Sequence, residues 1–124
     1  MERFWRENNL IIAPGFFDNQ INGFADVSFS FGGGELTQDG VRKATQALWE
    51  RGVTSYLPTL TTNSREVLTK NFAVLAKAKD DVSLLGSIPG YHLEGPYISP
   101  FDGFRGAQSK RFVREPDWNG FMEF

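Results

Sequence analysis

The pattern of apolar and polar positions along the chain alternates between strand-like and helix-like segments. Three segments have the β-branched, aromatic or continuous apolar character of strands, at residues 16–23, 53–61 and 82–88. Two segments between them carry apolar residues at helical spacing, at residues 38–51 and 65–79. The order strand, helix, strand, helix, strand is typical of parallel βαβ units. The pattern therefore predicts an α/β fold with parallel strands.

Three short polar residues stand where helices are expected to begin: Thr37, Ser64 and Asp117. Their side chains can accept a hydrogen bond from the first free amides of a helix. The first helix is expected to end near Arg51, because Gly52 is a suitable stop, and the second near Lys79. A third helix is expected to begin near Trp118. The residues expected along one side are Val41, Ala44 and Leu48 in the first helix, and Leu68, Phe72, Leu75 and Lys79 in the second.

Polar residues alternate along the first predicted strand. Asp18, Gln20 and Asn22 fall on one face, and Phe17, Asn19 and Ile21 on the other. Such a polar face is either a solvated edge or the lining of a site. In the second strand, Pro58 lacks an amide donor, so it should lie near an end or an irregularity.

The segment 23–34, with three consecutive glycines, is predicted to be a flexible loop. The Lys-Ser/Thr pair of a phosphate-binding loop does not follow those glycines, and a GxGxxG motif is absent. A nucleotide-binding open sheet is therefore the weakest alternative.

The single histidine, His92, precedes Glu94 by two positions after the third predicted strand. Residues two apart on a strand project to the same face. Gly95 and Pro96 follow and open a loop. Parallel α/β folds place catalysis at the carboxyl ends of their strands. A core histidine and a hydrogen-bonded strand end would give the same pattern, so the spacing alone leaves both interpretations open.

Composition and charge narrow the class of protein. The formal net charge is −2 and no basic run is present, which argues against a nucleic-acid partner or an anionic membrane surface. The absence of cysteine excludes disulfides and a thiolate metal site. No apolar run approaches the ~20 residues that span a bilayer. Residues 1–12 lack the apolar core of a signal peptide, so a cytoplasmic protein is expected.

The chain is expected to form a single incomplete domain over residues 1–124. Three parallel strands are too few to close an α/β barrel, which needs ~250 residues. Open strand edges and twelve phenylalanines favour self-association. The segment 95–114 is a long loop whose basic residues either meet an anionic substrate or are solvated. These residues are Arg105, Lys110, Arg111 and Arg114.

Four motifs resemble, in order, those of the N-acetylglucosamine-6-phosphate deacetylase family of the amidohydrolase superfamily. They are Ala13-Pro14-Gly15-Phe16-Phe17-Asp18, Gln20-Ile21-Asn22-Gly23, Gly52-Val53-Thr54-Ser55 with Pro58-Thr59-Leu60, and His92-Leu93-Glu94-Gly95-Pro96. The resemblance covers about residues 10–116. It implies that the fold is a partial (β/α)8 TIM-type barrel, comprising about the first three βα units.

The resemblance also implies a reaction, the hydrolysis of N-acetylglucosamine 6-phosphate to glucosamine 6-phosphate and acetate. The family's motif glutamate binds one divalent metal, so Glu94 is the expected ligand and zinc the expected ion, which this chain alone need not hold. Ala107 and Gln108 are expected to bind the phosphorylated amino sugar, with Gln108 in place of the family's usual histidine. Gln20 and Asn22 occupy the place of the His-x-His of many amidohydrolases. Together with His92 they are expected to line a one-metal site.

Further family ligands and the general base come from later strands. The catalytic residues are therefore expected beyond Phe124, and the chain alone is expected to be inactive. Family members commonly form dimers, so a homodimer is expected. One alternative is a non-catalytic derivative that binds a phosphosugar or a partner protein. Another is a cyclic-amide hydrolase or a deaminase, which would favour His-x-His on the first strand.

Overall fold

The chain forms a three-stranded parallel sheet with helical connections, as seen in a computed structural model that describes residues 11–30 and 35–123. The strands are β1 (Phe16–Ile21), β2 (Gly23–Phe24), β3 (Val27–Ser28), β4 (Val53–Thr61) and β5 (His92–Glu94). The helices are α1 (Gln38–Trp49), α2 (Arg65–Lys79) and the short α3 (Trp118–Phe121), with 3-10 turns at Val82–Leu84 and Lys110–Phe112. The sheet order is β1-β4-β5, and both pairings are parallel. The predicted α/β class with a parallel sheet is confirmed.

All three predicted helix caps are present. The Thr37 hydroxyl accepts from the amide of Gly40 at 3.0 Å, and the Ser64 hydroxyl accepts from the amide of Val67 at 3.3 Å. The Asp117 carboxylate accepts from two amides at the start of α3. Helix α1 ends two residues before the predicted Arg51, and Gly52 then adopts a φ of +83°. The local sequence thus sets where these helices begin and where α1 stops.

Strand β4 lies in the middle of the sheet and carries much of its buried surface. Tyr56 and Leu60 are fully buried, together with Leu68 and Leu75 of α2. Pro58 is the register partner of Ile21, next to a register shift in β1. The additional residue at this shift belongs to β1, whereas Pro58 lies inside β4, so the expectation that Pro58 would lie near an end or an irregularity of its own strand is wrong.

The predicted strand over residues 82–88 is wrong. Asp81 caps a 3-10 turn there by accepting from the amide of Ser83 at 2.9 Å. Leu85 and Gly86 then adopt φ values of +53° and +74°, which an extended strand does not allow. Val82 and Leu85 are exposed, whereas Leu84 and Ile88 are buried. The apolar run therefore forms a turn in which only some of the apolar side chains enter the core. The third strand of the sheet is β5 itself.

The predicted flexible loop over residues 23–34 is partly wrong. Strands β2 and β3 form a short antiparallel hairpin within it, and the amide of Phe29 donates to the carbonyl of Asn22 at 3.0 Å. Phe29 is fully buried against Tyr56. The three consecutive glycines lie outside the described residues, as do residues 1–10, which form most of the segment considered as a signal peptide. In the described part of the chain, every helix is too short or too polar to cross a bilayer.

A buried hydroxyl pair inside the core leads to a pH-dependent prediction. Thr45 donates its hydroxyl hydrogen to the carbonyl of Val41 at 2.8 Å, so Tyr56 donates to Thr45, also at 2.8 Å. Burial raises the pKa of Tyr56 above its ordinary value of 10.0, and the bond to Thr45 opposes this rise only in part. Tyr56 therefore ionises more readily in the unfolded chain, and its contribution to the free energy of unfolding falls as pH rises above 10.0.

We expect Tyr56→Phe to lower the free energy of unfolding by about 1 kcal/mol at neutral pH, because one buried hydrogen bond is lost. This gap between the wild type and the variant should shrink above pH 10.0. Urea unfolding of both proteins at several pH values measures it, and the remaining tyrosines cancel in the difference. A difference between the two proteins that stays constant as pH rises would contradict the raised pKa of Tyr56 in the folded chain.

Candidate functional site

Glu94 is the last residue of β5, at the carboxyl end of the sheet. Its register partner is Thr61, the last residue of β4. Paired residues of parallel strands project to the same face, so Glu94 and Thr61 share one face at this end. Glu94 is half-buried. The Thr61 hydroxyl is buried with no hydrogen-bond partner in the described part of the chain.

Two neutral amides hold the carboxylate of Glu94. Gln20 Nε2 donates to Oε2 at 2.9 Å, and Gln108 Nε2 donates to Oε1 at 2.8 Å. Gln20 lies on β1, so its side chain and that of Glu94 meet across the middle strand. Of the predicted polar face of β1, Gln20 therefore reaches into the site. No salt bridge among the described residues involves Glu94.

Gln108 enters the site from the loop after β5. Its Oε1 accepts from the main-chain amide of Thr62 at 3.0 Å, just beyond the end of β4. The Arg105 guanidinium donates to the main-chain carbonyl of Gln108 and pairs with Asp102. Arg105 thus braces the loop in this structure. Ala107 precedes Gln108 in the same turn and is exposed.

The remaining expected site residues lie at the same edge without touching Glu94. The Nδ1 of His92 lies 3.0 Å from the carbonyl of Asn19, and a carbonyl can only accept, so Nδ1 carries the proton. His92 therefore ties β5 to β1. Asn22 is exposed just after β1 and makes no hydrogen bond with Glu94.

The residues present supply one strong metal ligand. Catalytic zinc sites use three protein ligands and keep one position for water or substrate. Within residues 11–30 and 35–123, no three His, Cys, Asp or Glu side chains cluster as a metal site would need. The described residues therefore do not fit a complete metal site, although Glu94 remains an anionic donor.

Comparisons with known proteins show what the chain is similar to. No protein-family model matches the chain. The chain is 39% identical over 116 residues to the N-acetylglucosamine-6-phosphate deacetylase of Mus musculus, covering 91% of the chain and 27% of that relative. It is 38% identical over 106 residues to the one of Danio rerio, covering 86% and 25%.

The chain is homologous to N-acetylglucosamine-6-phosphate deacetylases. It spans about a quarter of the length of the curated relatives that it matches. The structure of the deacetylase from Pasteurella multocida superposes with a TM-score of 0.75 at 24% identity, covering 89% of this chain and 27% of that one. At that identity the superposition supports the fold alone.

Sequence analysis missed the contribution of Thr62 in this deacetylase-like segment. Thr62 acts through its main-chain amide, which has no signature in the residue type. For Arg105, a basic residue of the loop, the sequence predicts either a contact with an anionic substrate or solvation. Its side chain is only 17% exposed and is engaged within the loop, an arrangement that neither alternative described.

Close packing at Gly95 generates a second prediction. Gly95 and Gly103 both adopt a φ of +90°. A Cβ at Gly95 would lie 2.0 Å from Thr62 Oγ1, whereas a Cβ at Gly103 would meet nothing within 4 Å. We expect Gly103→Ala to cost about 1–2 kcal/mol of stability from backbone strain alone.

Gly95→Ala should cost about 1–3 kcal/mol more than Gly103→Ala, because it adds a steric clash to the same strain. Chemical denaturation of the two variants measures the difference. Equal losses of stability would show that β4 and the loop do not meet closely at Gly95.

Proposed function

We propose that this chain is the first part of the catalytic barrel of a metal-dependent deacetylase. The reaction is hydrolysis of the N-acetyl group of N-acetylglucosamine 6-phosphate, giving glucosamine 6-phosphate and acetate. The observation that carries this proposal is the position of Glu94 at the carboxyl end of the sheet, where Gln20 and Gln108 hydrogen-bond to it. The surrounding segment is homologous to N-acetylglucosamine-6-phosphate deacetylases. A carboxylate in this position suits the site of an α/β barrel.

Glu94 is proposed as one ligand of a single divalent ion, with zinc preferred because it accepts carboxylate oxygens. The other ligands and the general base would come from outside the described residues, since these contain no three-ligand cluster. Such an ion, if bound by Glu94 and the further ligands, would supply an activated water molecule and polarise the amide carbonyl.

Residues of this chain position the carboxylate of Glu94, which is the negatively charged group of the site. Gln20 and Gln108 orient the carboxylate while leaving its negative charge in place, since amides carry none. Ala107 and Gln108 are proposed to contact the sugar, and His92 and Asn22 to line the site. The outer edges of β1 and β5, which have no partner strand among the described residues, would pair with neighbouring strands of the barrel. We further propose a cytoplasmic enzyme that works as a dimer.

A non-catalytic function remains the second candidate. Both oxygens of Glu94 already accept hydrogen bonds, and the described residues hold no cluster of metal ligands. A site completed by amides in this way suits hydrogen bonding to a phosphosugar or to a partner protein. Such a binding protein would keep its ligand affinity without a metal.

A segment exchange tests the catalytic proposal. The segment of the mouse deacetylase that aligns with this chain is replaced by the aligned segment of this chain. We expect the chimera to release acetate from N-acetylglucosamine 6-phosphate. Glu94→Gln in the chimera should lower both kcat and the affinity for zinc. Each loss should exceed the roughly 10- to 100-fold that follows mutation of a residue that only hydrogen-bonds to a metal ligand.

Matched controls separate this outcome from misfolding. Glu115→Gln changes an exposed loop carboxylate in the same chimera and should retain zinc and most activity. A folded chimera whose Glu94→Gln variant keeps its zinc and its turnover would overturn the assignment of Glu94. Ligand affinity that survives complete removal of metal would favour the binding protein.

The 124-residue chain by itself is expected to release no acetate, with or without added zinc, because it carries only one of the proposed ligands. A coupled acetate assay on a homogeneous preparation measures this. Turnover that remains in the purified chain and disappears in Glu94→Gln would contradict the prediction.

A further inference from the structure

We propose that Gln108 is a positioning residue that links the main-chain amide of Thr62 to the carboxylate of Glu94. The link runs from the end of β4, through one side-chain amide, to the end of β5. It orients a carboxylate whose other hydrogen-bond partner among the described residues is Gln20. This role concerns the geometry of Glu94 and does not depend on the proposed reaction.

The orientation of the Gln108 amide follows from the chemistry of its partners. The main-chain amide of Thr62 can only donate, so it must face Oε1 of Gln108. The NH2 group of Gln108 then faces Glu94, whose ionised carboxylate can only accept. Neither contact survives if the amide is turned over. Thr62 is fully buried, so its amide has little access to water as an alternative acceptor.

The surrounding chain is shaped to bring these groups together. A Cβ at Gly95 would lie 2.0 Å from Thr62 Oγ1 and 3.2 Å from Gln108 Oε1, so a glycine permits this approach. The Thr62 hydroxyl also donates to the Glu94 main-chain carbonyl at 3.4 Å. Arg105 holds the main chain of Gln108 from the other side. Hydrogen bonds thus restrain both the main chain of Gln108 and its side-chain amide.

The link adds no charge beside Glu94. The ionisable groups that hydrogen-bond to Gln108 are the carboxylate of Glu94 and the guanidinium of Arg105, which donates to its main-chain carbonyl. Thr61 and Thr62, at the end of β4, carry no charge. A glutamine at position 108 therefore donates to Glu94 without titrating, and it leaves the full negative charge on the carboxylate.

Nuclear magnetic resonance of the 124-residue chain tests both halves of the link. In Gln108→Leu, hydrogen exchange at the Thr62 amide should quicken about tenfold, because its hydrogen bond to the side chain is lost. In Glu94→Ala, the side-chain NH2 signals of Gln108 and Gln20 should both shift. Those of Gln38 should stay in place, because Gln38 donates to the carbonyl of Val74 instead.

Conservative variants separate positioning from general packing. In Gln108→Leu the NH2 signals of Gln20 should also shift, because Glu94 loses its second donor. Gln108→His, studied near pH 8 where imidazole is neutral, offers one acceptor and one donor, so it should return both the exchange rate at Thr62 and the Gln20 signals toward their wild-type values. Gln108→Glu keeps the acceptor for Thr62 but repels Glu94, so it should restore the exchange rate alone. Gln38→Leu is the matched control and should leave both readouts unchanged.

Two results would overturn the inference. One is an unchanged exchange rate at Thr62 in Gln108→Leu. The other is a set of Gln108 NH2 signals that does not respond to Glu94→Ala. Either result would leave the proposed deacetylase function standing, because neither measurement involves turnover or metal.

Discussion

Three residue pairs join β4 to β5, and they fix where the candidate site lies. Thr59, Leu60 and Thr61 pair with His92, Leu93 and Glu94 in parallel register. A shift of one residue would turn Glu94 to the opposite face of the sheet. Main-chain pairing over so short a strand is supported by packing, since Tyr91 meets the ring of Phe72 on α2 at a centroid distance of 5.7 Å. The core therefore holds the site in register.

The loop after β5 completes the site because it lies close to Thr62 at Gly95, just beyond the end of β4. Gly95 makes this approach possible, and Gln108 then bonds to Thr62 as well as to Glu94. The loop is long in sequence, but it is anchored where it enters the site. Long ordered loops of this kind commonly carry functional residues on a rigid scaffold.

Prediction from sequence succeeded where a local rule decides the outcome. Thr37, Ser64 and Asp117 cap helices because a short polar side chain reaches its own first turn. It failed over residues 82–88, because a short apolar run cannot be distinguished from a turn with alternate burial, and Leu85 gives no sign of its positive φ. The meeting of Gln20 with Glu94 spans 74 positions, and the amide of Thr62 is invisible in the sequence. The polar alternation of β1 indicated the first of these contacts but not its partner.

The charge at Glu94 links the fold to either proposed function. Its carboxylate is half-buried, has no cationic partner in the described part of the chain, and is held only by neutral donors. An ionised carboxylate has about four acceptor positions on its two oxygens, so two amide contacts leave room for another ligand. Uncompensated negative charge in a partly dry site costs free energy unless a cation or a strong donor completes it. The arrangement thus favours a positively charged or hydrogen-bond-donating ligand over an anionic one at this carboxylate, and in a phosphorylated sugar the phosphate would have to lie away from it.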